Sequence, residues 1–441
     1  MDFLTFGVQL LNAIQYGAVL FLVASGLTLV FGILGVINLA HGAFYMLGAY
    51  LAYWIAAYTG SFWVALVGGV AIAFAVGLLL ENVFIRRLYG RDHLAQVLLS
   101  FGLILVIDEA RQLLFGKDVH SVMPPEGLRG AIQLTENLSY PVYRLAICVF
   151  CLIVAALIFL VITRTKIGMI VRAGAENREM TRTLGISFDR VNRYVFAVGI
   201  ALAALGGIVV APVSTVYPGM GDSMLILSFV VVVLGGIGSI GGAAIGALLI
   251  GLTDTFGKVF FPSVSSVLIY VLMAAVLLWR PNGIPGRREI EDMNQQAEHR
   301  NSRAWLLSGL LLALAIALPF AAPTYYVQFV SKALIMGILA MALNLVVGYG
   351  GLVSLCHAAF FGIAGYVLAL ASPKYDAASL WWTLPLAVAA SATAAAAIGT
   401  LALRTRGVYF IMVTLAFGEM LFFLFHDSKF AGGSDGAFVY N

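Results

Sequence analysis

The feature that most constrains this chain is the recurrence of apolar runs about twenty residues long, the length that crosses the hydrocarbon core of a bilayer. They lie at 9–34, 39–58, 62–85, 94–116, 141–163, 193–212, 225–252 and 263–279. After a polar stretch at 280–303, more follow at 304–321, 327–349, 353–372, 380–403 and 407–426. A water-soluble fold has no means of covering so many. Only 10% of the 441 residues are charged and 62% are hydrophobic, whereas soluble domains carry about 25% charged residues. The expected fold is therefore all-α, a polytopic transmembrane helix bundle in contact with lipid. The net charge of +4 is modest. With no soluble basic domain to hold it, nucleic acid is excluded as a partner. The first run begins near Gly7 without a basic leader or a small-residue cleavage site, so it reads as a spanning helix.

Lys and Arg in short loops set the orientation. Arg86, Arg87 and Arg91 fall between two spans, and seven basic residues fall within 164–193. Arg280, Arg287, Arg288, Arg300 and Arg303 mark 280–303, and Arg404 and Arg406 mark one more loop. All four are expected in the cytoplasm, and the mixed-charge loop 117–140 outside. Three spans before Arg86 then place the amino terminus outside, where it carries Asp2 and no base. Between the cytoplasmic stretches 164–193 and 280–303 the number of crossings must be even, yet three apolar runs lie there. One of them must be re-entrant or broken. The candidate is 225–252, interrupted by Gly235, Gly236, Gly238, Gly241 and Gly242. Irregular backbone at membrane depth requires burial in protein or a cavity, and broken helices border transport sites. Close glycine-mediated packing of helices is the other reading.

The chain also repeats itself at an offset of 316. Leu27–Tyr50 and Leu343–Tyr366 share ten of 24 residues, among them Gly35/Gly351, His41/His357 and Tyr50/Tyr366. Phe101-Gly102 matches Phe417-Gly418 at the same offset. Two parallel homologous halves are expected: 1–279, a cytoplasmic linker 280–303, and 304–441, with span 304–321 restoring the orientation. Residue 441 answers to position 125 of the first half, so the second half is expected to be incomplete and the chain a fragment of a longer polypeptide.

Several residue groups are candidates for function. In the cytoplasmic stretch, Ala173, Ala175, Glu176, Met180 and Leu184 line one side of a short helix that Gly185 is placed to stop. Such a helix docks into a groove of another protein, or its basic residues serve only as membrane anchors. His41 and His357 hold matching repeat positions, as do Asn38 and Ser354. They are pathway or helix-interface candidates; a histidine bonded to a neighbouring backbone carbonyl is the plainer alternative. Glu419 lies inside span 407–426 with no adjacent base, and an intramembrane carboxylate is a functional candidate. Asp108 and Glu109 lie toward the outer end of their span, with Arg111 spaced to pair with Asp108. Cys148 and Cys151 form a CxxC inside an apolar run and lack two further zinc ligands. No metal site and no catalytic cluster are expected. The glycine-rich loop Gly432–Gly436 is either an outer contact or a bare turn.

The stretch RAGAENREMTRTLGISFDRV from Arg172 resembles the EAA-type coupling loop of ABC-importer permeases. With GLTLVFGILGVINLAHGAFYMLGAY and VVVVLGGIGSIGGAAIGALLIGL it resembles LivH-type branched-chain amino acid permeases. NLVVGYGGLVSLCHAAFFGIAGY, TRGVYFIMVTLAFGEM and GGSDG resemble the LivM-type partner. Fusion of the two types departs from their usual separation into two chains. The resemblance implies alternating access in the bacterial inner membrane, driven by two cytoplasmic ABC ATPases and supplied by a periplasmic binding protein. Glu176, Asn177, Arg178, Thr183, Leu184, Gly185 and Ile186 would sit against an ATPase. The chain has no P-loop, so ATP and magnesium would be bound by the partner subunits and this chain would carry no cofactor and do no covalent chemistry. Urea or short-chain amides are the alternative cargo. An ion-coupled secondary transporter is the alternative of another class, with Glu419 as its ion site.

Overall fold

The computed structural model describes residues 3–91, 93–135, 138–176, 178–183, 187–236, 238–280, 323–373, 379–405 and 407–437. Most of the linker and the expected span 304–321 lie outside the described residues. The chain divides into two units, one of residues up to Arg287 together with Ala397–Phe438, the other from Arg288 to Ala396 with the last three residues.

The first unit opens with α1 (Phe3–Leu34), 32 residues without an interior Pro. Then come α2 (His41–Thr59), α3 (Phe62–Val83) and α4 (His93–Phe115). A two-stranded antiparallel hairpin follows, β1 (Ala131–Thr135) with β2 (Leu138–Pro141), pairing Ile132 with Tyr140. Next are α5 (Val142–Arg164), the short α6 (Lys166–Glu176) and α7 (Arg178–Thr183), then α8 (Phe188–Val210).

The run expected to be broken is divided by its glycines. α9 (Met220–Gly235) ends at Gly236 and α10 (Ile240–Phe260) begins four residues later. Gly236 and Gly238 take φ of 80° and 74°, a region that costs other residues energy. α11 (Ser265–Trp279) follows. Four helices, α8 to α11, therefore lie between the α6–α7 segment and Arg280, an even number. Cross-contacts agree on the two ends. His120 and Val216 pair through their backbones, and Tyr140 and Arg144 both donate to Oδ1 of Asn12 near the start of α1 at 3.1 Å. At the basic end Arg86 meets Asp189 at 2.6 Å.

α1 is the central post, packing on α5, α8, α9 and α10. Its neighbours come close because small residues face each other, the usual device where lipid supplies no hydrophobic drive. A Cβ on Gly17 would stand 2.9 Å from the Ala247 carbonyl, and one on Gly32 would stand 2.6 Å from Cα of Gly238. Gly207 meets the Tyr45 backbone where α8 crosses α2, and Gly42 and Gly221 abut where α9 crosses it.

α15 (Val408–His426) also belongs to this unit and packs on α9 and α11. The second unit holds α12 (Thr324–Asn344), a π-helical turn at Leu345–Tyr349, α13 (His357–Ala371) and most of α14 (Leu380–Ala402), whose last turn joins the first unit. The repeat survives in the backbone: Gly35 and Gly351 take φ of 62° and 64°. His41 and His357 each open the next helix. Nine helical segments are long and apolar enough to cross a membrane among the described residues, so the protein is multi-pass.

Candidate functional site

Three places carry the candidate residues. The first is the basic end. Thr165 Oγ1 accepts from the Gly168 amide at 3.1 Å and starts α6 directly after α5. Gly168 sits against the carbonyls of Val161 and Ile162 with no room for a side chain. α6 and α7 fold onto each other, and Thr181 Oγ1 donates to the Ala173 carbonyl at 3.1 Å. Gly174 lies under the ring of Phe188, which is buried at the start of α8. Ile167 and Met169 remain exposed on α6. The expected docking helix is thus two short helices. Asn177, Leu184, Gly185 and Ile186 lie outside the described residues. Glu176 and Arg178 close α6 and open α7, and Thr183 is exposed at the end of α7.

Behind this segment sits a charge cluster that the loop pattern does not reveal. Arg193 Nε on α8 is 3.5 Å from Oε2 of Glu81 on α3, whose side chain is 1% exposed. Tyr89 donates to the other Glu81 oxygen at 3.1 Å. One turn earlier, Asp189 holds Arg86. Asn192, fully buried between them in sequence, has neither amide atom hydrogen-bonded among the described residues. Glu81 was the available signal, a carboxylate within an apolar span. Its partner Arg193 reads in the sequence as one more loop charge.

The second place is the gap between α1 and α2. From Gly35 the chain leaves the helix and runs irregularly, with Val36, Ile37, Asn38 and His41 all buried. Buried backbone outside a helix needs partners. Gln96 Oε1 of α4 accepts from the Ile37 amide at 3.1 Å, and Asn38 Oδ1 accepts from the Ala40 amide at 3.1 Å. His41 Nε2 lies 2.9 Å from the Val23 carbonyl, in the second half of α1. The Leu22 and Ala24 carbonyls on either side accept from Ser25 and Thr28 at 2.8 Å. α2 therefore begins beside the second half of α1 and not beyond its end. The Asn38 Nδ2 and His41 Nδ1 atoms are buried and unpaired among the described residues. In the second unit Ser354 and His357 are partly buried, with the His357 ring 6.4 Å from that of Phe360. That unit has no counterparts of α8 and α9 among its described residues to lie over them.

The third place is the turn between α9 and α10. Ser239 Oγ accepts from the Gly242 amide at 3.1 Å and caps α10. Gly235 abuts the Gly242 backbone, which lets the two helices fold back on each other, whereas Gly241 faces open space. Elsewhere, Glu419 is half-buried on α15, within electrostatic range of Asp222 on α9 and Tyr270 on α11. Arg111 donates to Asp108 at 2.9 Å and to the Gly116 carbonyl at 2.8 Å, with its guanidinium 5.5 Å from the Tyr50 ring centre. The Gly432–Gly436 loop holds one 3-10 turn, Gly433–Asp435, and another precedes it at Lys429–Ala431. Cys148 and Cys151 are buried free thiols. No group of three metal-binding side chains gathers among the described residues.

The family model of the branched-chain amino acid transport system permease component matches residues 9–277 and 325–437. The chain belongs to this permease family. BraD, a high-affinity branched-chain amino acid transport system permease protein of Pseudomonas aeruginosa, is 33% identical over 300 residues, 64% of this chain and 96% of that protein. LivH of Escherichia coli K12 is 32% identical over 305 residues, 66% of this chain and 98% of LivH. LivM of the same strain is 37% identical over 127 residues, 29% of this chain and 30% of LivM. No solved structure matches. The permease thus has a LivH-like part and a shorter LivM-like part, which accounts for the two matched segments and the repeat.

Proposed function

We propose that this permease takes up branched-chain or related amino acids across the bacterial inner membrane, as the membrane subunit of an ATP-driven importer. Its domains are a LivH-like part at 1–279, a linker at 280–303 and a LivM-like part at 304–441. The observation that carries the coupling is the α6–α7 segment. It stands at the basic end, exposes Ile167 and Met169, and is fixed to α8 through Gly174 and Phe188.

Two cytoplasmic ATPases bind ATP and magnesium and press on this segment, with Glu176, Asn177, Arg178, Thr183, Leu184, Gly185 and Ile186 at the contact. A periplasmic binding protein delivers substrate at the opposite end. ATP binding favours one of two arrangements of the helices, a population shift that needs unequal affinity of the ATPases for the two states. The residues of this chain make no covalent intermediate; they bind, orient and occlude.

Uptake of radiolabelled leucine tests the reading, in cells lacking and then regaining the full-length gene with the partner genes intact. Restoration of uptake, with competition by isoleucine and valine and none by urea or ribose, is expected. Uptake unchanged by the gene, or competition by urea, rejects the amino acid cargo. Uptake that survives loss of the ATPase and collapses with the ion gradient rejects the ATP-driven reading.

A further inference from the structure

The repeat, joined to the position of α15, assigns a use to an apolar face that α4 leaves open. α15 and α4 answer to each other at the offset of 316. Over 97–105 and 413–421 five of nine residues are identical: Val97/Val413, Leu99/Leu415, Phe101/Phe417, Gly102/Gly418 and Leu105/Leu421. α15 begins at Val408 and α4 at His93, whose counterpart is 409, so the helices also start in register.

On α15 one stripe, Thr414, Phe417 and Leu421, is 2%, 1% and 8% exposed. α9 and α11 provide the packing, with the Phe423 ring stacked 6.5 Å from that of Tyr270. The corresponding stripe on α4 is Leu98, Phe101 and Leu105, spaced three and four residues apart on one helical face. Those side chains are 63%, 53% and 57% exposed. α4 itself leans on α2 through its other side, by way of Gln96 and the buried Val97 and Leu103.

Two homologous halves related by a twofold axis make reciprocal contacts: if element i of one touches j of the other, then j of the first touches i of the second. Here the α4-type helix of the LivM-like part sits on α9 and α11 of the LivH-like part. Reciprocity requires α9- and α11-type helices from a LivM-type half to sit on α4. Such helices are not among the described residues.

We propose that the Leu98–Phe101–Leu105 face of α4 is an interface for the α9–α11 counterparts of a LivM-type permease half. The proposal rests on the permease reading but not on its cargo. An exposed Leu-Phe-Leu stripe in a membrane protein is ordinarily covered by lipid. What separates this one from the outward face of α5, where Leu152, Leu157 and Phe159 are also exposed, is that its repeat counterpart is covered by helices.

The test is site-specific photocrosslinking in membranes holding the full-length gene product and its partners. Benzoylphenylalanine replaces Phe101, Leu105, Phe417 or Phe159 in turn. Phe417 is expected to crosslink to α9 or α11 of the same chain, which checks the premise. Phe101 and Leu105 are expected to crosslink to the peptide carrying the LivM-type counterpart of the Val230–Gly242 glycine turn or of α11, and Phe159 to lipid alone. Lipid adducts alone at Phe101 and Leu105 would overturn the proposal, as would adducts on α9 of a second copy of this chain. The readout needs no substrate. A failed leucine assay with intact crosslinks therefore removes the cargo and keeps the interface, and the reverse outcome does the opposite.

Discussion

Replacing Arg193 with Met tests whether the buried pair behind the coupling segment holds α3 to α8. The substitution keeps most of the side-chain volume and removes the charge 3.5 Å from Glu81. At that separation an effective dielectric of about 20 gives roughly 4.7 kcal/mol of attraction. The Arg193 side chain is 33% exposed, so water and salt screen part of it, leaving about 2–3 kcal/mol. The contact is an ion pair without a short hydrogen bond, which places the expected value toward the lower figure. Glu81→Gln removes the other charge and keeps an amide oxygen for Tyr89. The assay is a double-mutant cycle on unfolding of the purified permease in mixed micelles, followed by near-ultraviolet circular dichroism. Each single change is expected to destabilise. The double variant is expected to lose about 2 kcal/mol less than the sum of the two. Additive losses, within about 0.5 kcal/mol, would refute the pair as a clamp and leave Glu81 as a packing residue alone.

Three further outcomes are expected. Gln96→Leu strips the Ile37 amide of its acceptor in a buried non-helical segment, and should cost about 1–3 kcal/mol by the same unfolding assay; no loss would mean that water satisfies the amide. Gly207→Val drives a branched side chain into the Tyr45 backbone, and should reduce the folded yield by more than an overpacked core site, about 1–3 kcal/mol, would explain. Unchanged size-exclusion profiles would show that α2 and α8 can separate there. Gly185→Asp should weaken co-purification of the ATPase while the permease remains inserted, and undiminished co-purification would reject the docking role of this stretch.

The sequence made the membrane class, the repeat and the interruption at Gly236 legible, because each rests on local pattern. Twenty-residue apolar runs, a fixed offset and a glycine cluster need no knowledge of neighbours. The loop charges predicted one broken or re-entrant run between 164–193 and 280–303, and the structure ends one helix at Gly235 and begins the next at Ile240. What the sequence concealed depends on partners far along the chain. Gln96 and Ile37 are 59 positions apart, and nothing in either stretch announces the bond. Spans placed at 9–34 and 39–58 leave no hint that the intervening residues return along α1 until His41 reaches Val23. Arg193 illustrates the same limit: a loop charge by composition, it is a helix residue turned toward a carboxylate on another helix. Glu419 was visible as an isolated acid, whereas its neighbourhood with Asp222 and Tyr270 required the packing of α15.

α1 carries a consequence for the making of the protein. It is synthesised well before the helices that cover it: the surface that closes over Gly17 arrives with Ala247, 230 positions later. At about 5–20 residues per second, that is a wait on the order of 10–50 s. During that time the small-residue groove along α1, with Gln15, Ser25 and Thr28 in it, meets only lipid or the first few helices. The packing of α1 is thus completed only when α10 has been made. Damage to α10 would be felt as a fault in α1, long after the synthesis of α1 itself was correct.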